Sequence, residues 1–582
     1  MGDPRDSGAL LRSWRFVIAA NALALAAAWI ASRSAAPPVA RMLASALLVL
    51  AAPGVGWLGA FRRTTLDLPR LALAVVGVSS VVCVATAGLM ALTIGSPSRG
   101  LLWVSIGLAM NAGFLVGGTP RRLDAATSWA VLAGAGSLAF VASATAAILL
   151  VPPLEDHDME VRGTAYGLVS DFKPYFLTNR EVFLPMAHPP LFHFHVAQSL
   201  ILTGEIDDTR PSYDSARRAE RAFSIGDPFP SMDQWHADHR AFVERPALAG
   251  TRAPAALFSA LVVALLCDVV IRMTSSRLAG IAAATLYVTF PETVVRSAYA
   301  GYFSVTVFAM LAAALLFDRR RGAERPPPGD LAWLAAAGAF AALVDHKTVV
   351  LVLAVTAVAA LRAGRDAWRL PGPWSVRRLG RLVDRRAVAL GAGFSAATFA
   401  WWGYALAIDA RTFVQDHLRM HIAHRFLLND LRLAHDGARY APSMAELWIE
   451  FVRHTGYVFV PVAAAGIMVW MLGRRRSDVA TVLAAWIVVG SVLYTLTDWR
   501  QTKHLMNALA PAVAAAVVMA WPGRNEHGHE PLPGRDRRIM VARALAGTAL
   551  VVALGSNVIT DARLIGDFGS LEISGASDVD GW

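Results

Sequence analysis

Long apolar runs alternate with short polar connections along most of the chain. The runs fall at roughly 15–32, 39–60, 71–94, 101–118, 128–151, 254–272, 278–292, 301–317, 331–345, 347–362, 387–408, 449–472, 479–497, 504–521 and 541–559. A helix of about 20 apolar residues crosses the ~30 Å hydrocarbon layer of a bilayer. Nothing alternates at period two over about ten residues, which argues against a transmembrane barrel. The pattern predicts an all-α polytopic membrane protein with about 15 transmembrane helices. Two longer polar stretches interrupt it, at about 152–252 and 409–447. Within the first, MAHPPLFHFHVAQSLILTG (186–204) is apolar but broken by His and Pro, and reads as an interfacial helix rather than a span. Residues 205–250 are charged and lack strong periodicity. The second stretch contains the amphipathic FVQDHLRMHIAHRFLLNDLRLAHDG, again read as interfacial.

Composition agrees. The 582 residues are 55% hydrophobic and 17% charged, with a mean hydropathy of +0.46. A soluble chain carries roughly a quarter charged residues. The net charge of +11 would suggest nucleic acid in a soluble domain, but here the arginines crowd alternate short connections such as FRRTTLDLPR, TPRRLDAA, DRRRGAERPPPG and GRRRSD. That is the positive-inside signal. It predicts a cytoplasmic N-terminus, puts both long polar stretches outside the cytoplasm, and leaves no role for a nucleic-acid partner. Arg5, Arg12 and Arg15 precede the first run with no convincing cleavage site after it, so that run reads as an uncleaved anchor. Cys83 and Cys267 lie inside predicted spans and read as small packing residues.

The chemistry is concentrated outside. The run ending at Val151 gives way at once to LEDHDME, with Glu155, Asp156, Asp158 and Glu160 around His157. Such a cluster can hydrate a loop, hold a cation or serve as a general base. Its position against the bilayer is fixed by the span before it. His188-Pro189-Pro190-Leu191 then restarts an apolar helix, proline being tolerated at a helix start. The chain has three lysines, Lys173, Lys347 and Lys503, all on the predicted outer side, and Lys347 and Lys503 stand at span ends. An ammonium there either snorkels to the interface or meets a phosphate. Histidines also gather outside, with His188, His193 and His195 in one group and His417, His421 and His424 at helical spacing. No zinc-protease or Cys-His zinc spacing exists, and no nucleotide cradle.

These motifs, in this order, resemble the GT-C class of integral membrane glycosyltransferases. The likeness is to the branch of protein O-mannosyltransferases and lipid A aminoarabinose transferases. The span, the acids Asp156-His157-Asp158, Tyr166 in GTAYGLVSDF and then HPPLFHF carry it. GAFAALVDHKTVVLVL, with Lys347, and DWRQTKHLMNALAPAVAAAV, with Arg500, Lys503 and His504, echo two later motifs. The sequence departs from the branch in offering Glu292 where a second Asp is frequent, and in the extra residues 205–250.

The resemblance implies a GT-C-like bundle and transfer of a sugar from a polyprenyl-phosphate donor to an extracytoplasmic acceptor (protein, lipid or glycan) with inversion, at the outer face of the plasma (inner) membrane. It implies Asp156 and Asp158 as catalytic acids, and His188, Lys347, Arg500, Lys503 and His504 on the donor phosphate. Glu292 is a possible second acid, and a divalent cation on Asp156, Asp158 and His157 is possible. The organisation it suggests is extra N-terminal spans over 1–127, a catalytic membrane region over 128–521, and a cytoplasmic loop, last span and tail over 522–582. A transporter or flippase of a lipid-linked glycan, or a non-catalytic subunit that kept this fold, are the competing readings. Few charges lie in mid-span and no repeated halves are visible, which speaks against a transporter.

Overall fold

A computed structural model describes residues 4–61, 67–117, 125–148, 156–174, 176–177, 182–183, 188–205, 249–298, 301–317, 326–369, 383–414, 417–418, 444–472, 478–496, 502–521 and 537–570. The described chain is helical apart from a two-residue hairpin, β1 (Phe176–Leu177) and β2 (Val182–Phe183), in which Phe176 faces Phe183.

The helices are α1 (Pro4–Ser32), α2 (Pro38–Leu50), α3 (Ala52–Trp57), α4 (Leu68–Thr93), α5 (Arg99–Gly117), α6 (Ala125–Ile148), α7 (Asp156–Ser170) and α8 (Leu191–Thr203). There follow α9 (Ala249–Thr274), α10 (Arg277–Val288), α11 (Pro291–Ala298), α12 (Phe303–Phe317), α13 (Pro328–Val344), α14 (Val349–Arg369) and α15 (Arg385–Thr412). The last are α16 (Met444–Thr455), α17 (Phe459–Leu472), α18 (Asp478–Leu496), α19 (Thr502–Leu505), α20 (Leu509–Ala520) and α21 (Arg537–Ser570).

Among the described residues, eight helices are long and apolar enough to cross a membrane, or up to 11 if each sharply bent pair counts as one span. The sequence reading of about 15 spans differs from this for a local reason. The run 39–60 is bent by 41° between Leu50 and Ala52, with Pro53 at the start of α3. The run 278–292 turns by 69° between α10 and Pro291, and the run 449–472 turns by 101° at Gly456. Gly456 has φ +87°, a conformation that only glycine adopts without cost. Three further apolar runs form the shorter helices Phe303–Phe317, Pro328–Val344 and Met506–Ala520.

At the centre stands α9. Within its span 94% of the apolar window is buried, and it touches α2, α6, α8, α10, α12 and α20. Lipid-facing helices lie outside it: only 6% of the α1 window and 17% of the α21 window are buried. Both cysteines are free and buried, as expected of packing residues.

Helix ends sort onto two faces. On one, Arg70 at the head of α4 pairs with Asp330 at the head of α13. The Phe61 ring meets Trp333 (5.4 Å), Arg386 donates to the Phe317 carbonyl (3.4 Å), and Arg272 reaches Thr127 (3.3 Å). On the other face Arg41, Arg99, Glu205 and Gly250 meet. The first set belongs wholly to the Arg-rich connections, the second wholly to the opposite ends, so the alternation read from charge is internally consistent.

The α13–α15 pair is the most extensive packing in the fold, and glycines allow it. A Cβ on Gly338 would lie 2.2 Å from the Leu390 carbonyl oxygen, and one on Gly393 would lie 2.0 Å from that of Ala335. Small residues that let backbones approach are how helices associate where lipid removes the hydrophobic drive. Gly338→Leu is therefore expected to lower the melting temperature in detergent by several degrees, in line with about 1–3 kcal/mol for overpacking. Gly391→Leu, whose Cβ meets nothing within 4 Å, serves as the control and should leave melting unchanged.

Candidate active site

The segment His188-Pro189-Pro190 leads into α8. Pro190 sits at the N-cap and Gly204 ends the helix in the left-handed region (φ +70°). The positive φ strains any larger residue there, and a Cβ on Gly204, 2.2 Å from Arg99 Nη2, would push the guanidinium aside. Arg99 Nε donates to the Ile201 carbonyl (3.2 Å) and Arg41 Nη2 to that of Thr203 (2.6 Å), which satisfies the last turn and matches its dipole. Glu205 then ties this end to α9 by accepting from the Gly250 amide (2.9 Å).

Every residue of α8 is buried, so the helix is enclosed by protein rather than laid open on a membrane surface as the sequence suggested. The reason lies in its polar residues, which find partners in the bundle. Ser80 gives its proton to the Val76 carbonyl and so accepts from His195 Nε2–H (2.8 Å). Gln198 Nε2 donates to the Cys83 carbonyl (3.0 Å), and the Ser199 and Ser45 hydroxyls are 2.5 Å apart.

The head of α8 is joined to α12 through Tyr302. The Tyr302 hydroxyl is 2.7 Å from His193 Nε2, and the His188 ring stacks on the Tyr302 ring with centroids 4.2 Å apart. One turn on, along the same side of α12, Thr306 donates to Asp345 Oδ2 (2.8 Å). Asp345 is 1% exposed and ends α13 in extended geometry. Its Oδ1 accepts from the Lys347 amide (3.1 Å), and its Oδ2 lies 3.8 Å from Lys347 Nζ. The adjacent His346 ring is 4.5 Å from that of His417, whose Nε2 accepts from Trp402 Nε1–H (3.0 Å). Tyr494 of α18 lies within electrostatic reach of Asp345 and stacks on His504 (5.4 Å between centroids).

The predicted residues therefore divide into three groups. His188, Lys347 and His504 are brought to one end of the bundle through Tyr302, Thr306, Asp345 and Tyr494. Glu292 lies on α11 with Arg296 at 3.4 Å and His454 Nδ1 at 4.0 Å, an acid held by its own cation. Asp156 opens α7, which packs on α4 and α8 with Tyr166 buried beneath it. The side chains of Asp156, His157, Asp158, Glu160 and Lys503, and the whole of Glu155 and Arg500, lie outside the described residues. Among the described residues no group of three or more His, Cys, Asp or Glu is placed to hold a metal ion. Sequence reasoning passed over Tyr302, Thr306, Asp345 and Tyr494. Asp345 did carry a signal, as a carboxylate directly after an apolar run and two residues before a rare lysine.

No family model matches the chain, and no curated protein matches it. Among solved structures the fold is similar to a crystal structure of ArnT from Cupriavidus metallidurans bound to undecaprenyl phosphate. The identity is 14%, each chain is covered over 76% of its length, and the TM-score is 0.45.

Burial pushes the His193 imidazole down to about 3, with the Pro189 carbonyl pulling weakly the other way, and burial alone takes His195 to about 3. Both are neutral when folded at neutral pH. The unfolded chain, with an ordinary histidine value near 6.5, binds more protons between pH 6.5 and 3. Folding stability must therefore fall as pH drops through that window, by up to about 1.4 kcal/mol per pH unit for each histidine. Melting in detergent followed from pH 7.5 to 4.5 should show this decline, and His195→Gln should make it shallower.

Proposed function

We propose that the protein is a membrane glycosyltransferase that moves a sugar from a polyprenyl-phosphate donor to an acceptor on the extracytoplasmic side, with inversion at the anomeric carbon. The observation that carries this reading is that His188 of the HPPL motif, Lys347 and His504 come to one end of the bundle, linked through Tyr302, Thr306, Asp345 and Tyr494. These groups are far apart in the chain and bear the sequence resemblance to membrane glycosyltransferases. The arginine bias of the opposite connections puts that end outside the cytoplasm.

In this reading the prenyl tail lies among the lipid-facing helices and the phosphate rests at Lys347. Asp345 fixes the lysine backbone and offers its ammonium a counter-charge. The lysine side chain keeps 24% of its surface open and can meet a second anion. An acceptor hydroxyl oxygen attacks the anomeric carbon from the face opposite the phosphate. The bond from that carbon to the phosphate oxygen breaks, and its electron pair leaves with the polyprenyl phosphate. Lys347 stabilises the charge that develops there, and His504 stands near through Tyr494. The hydroxyl proton passes to a carboxylate, for which Asp156 is the first choice and Asp158 the second, by the logic of inverting transfer. A divalent cation on Asp156, Asp158 and His157 is an optional part of the same scheme.

Membranes bearing the protein, given a mixed pool of polyprenyl-phosphate sugars, should release polyprenyl phosphate only when acceptor is present. Asp156→Asn is expected to cut turnover by at least a hundredfold with donor binding retained. Turnover equal to the unsubstituted protein would remove Asp156 from its role. Lys347→Gln should weaken donor binding about tenfold or more and slow transfer, while Arg365→Gln, on the opposite end of α14 and exposed, should do neither.

A further inference from the structure

The last helix, α21, carries a polar pair that no part of the proposed reaction uses. Asn557 and Asp561 are one helical turn apart and so share a face. Their residue exposures are 7% and 4%, although α21 is otherwise among the most lipid-exposed helices. The pair therefore points inward. Among the described residues, neither carboxylate oxygen of Asp561 has a hydrogen-bond partner, and neither does the Asn557 amide nitrogen.

Among the described residues the surroundings hold no compensating charge. The helices packed on α21 are α6, α10, α11, α17 and α20. Of these α6, α17 and α20 contain no charged residue. The charge on α10 is Arg277, which lies over Trp129 at the opposite end of the bundle. On α11, Glu292 and Arg296 pair with each other, with His454 beside them. Arg563, on α21 itself, is exposed. Thr145 of α6, at the same end of the bundle as Asp561 by the alternation of the helices, is likewise fully buried with an unpartnered hydroxyl.

A carboxylate in apolar surroundings without a partner holds either a proton or a cation. Charge balance limits a bound ion to a single positive charge. One carboxylate with no second acid neutralises one positive charge, whereas a divalent ion would leave a net charge buried. The groups at hand are hard oxygens, from a carboxylate and from an amide one turn away that can turn its oxygen inward, which suit alkali ions rather than softer metals. We propose that Asp561 and Asn557 form a monovalent-cation site between α21 and its neighbours, in which the ion displaces the carboxyl proton. The site does not depend on the glycosyltransferase reading.

Dicyclohexylcarbodiimide labels protonated carboxyls in apolar surroundings, and mass spectrometry of the intact protein in detergent locates the label. Asp561 should be labelled in choline chloride, and sodium or potassium chloride at equal ionic strength should suppress labelling at least tenfold. Melting should rise with the protecting salt in the unsubstituted protein and show no such rise in Asp561→Asn. Labelling that none of lithium, sodium or potassium suppresses would mean a carboxyl that simply keeps its proton, and would overturn the proposal. So would a failure of Asp561 to label in choline chloride, since the carboxyl would then not be the open, proton-bearing group the site requires.

Discussion

Inside a lipid-bounded bundle a polar side chain must find its partner in the protein, and α8 is where this rule shapes the molecule. Its thirteen residues are buried on every side, and they include two histidines, a glutamine and a serine. Ser80, the Cys83 carbonyl, Ser45 and Tyr302 answer them from α4, α2 and the head of α12. Those bonds set the depth and the rotation of α8 against three helices. They thereby fix His188, just before it, against Tyr302. The HPPL motif is thus positioned by hydrogen bonds made along the whole length of the helix that follows it.

The same rule organises the lysine turn. Asp345 would be costly to bury alone, and it is satisfied by Thr306, by the Lys347 amide and by the nearby ammonium. Tyr302, just before α12, and Thr306 stand one turn apart, so the head of one helix carries both the anchor for the HPPL segment and the anchor for Asp345. His188 and the Lys347 turn are in this way held against one rigid element rather than by loops alone.

Much of this was legible in the sequence. The apolar runs located nearly every helix, and the alternating arginines predicted which helix ends share a face, as Arg70 with Asp330 and Arg272 with Thr127 bear out. Lys347 was singled out by its rarity and lies beside a buried acid. Two kinds of information were not legible. Bends depend on backbone geometry at single positions, so the run 449–472 read as one span although Gly456 turns it through 101°. Burial on all sides depends on what lies across the bundle, so α8 looked interfacial because its partners in α2 and α4 are more than 100 residues away. The same distance hid Tyr302 and Tyr494, which are unremarkable in their own segments.

The tie between Arg70 and Asp330 carries a consequence for how the chain is made. Arg70 enters the membrane with its helix while the carboxylate that will receive it is still 260 residues from being synthesised. Until then a guanidinium destined to be buried has only water and lipid headgroups for company. The early helices can be threaded in order but not locked in order: their final seating waits for the middle of the polypeptide to emerge, and a chain released before that point would leave its first third inserted yet unfinished.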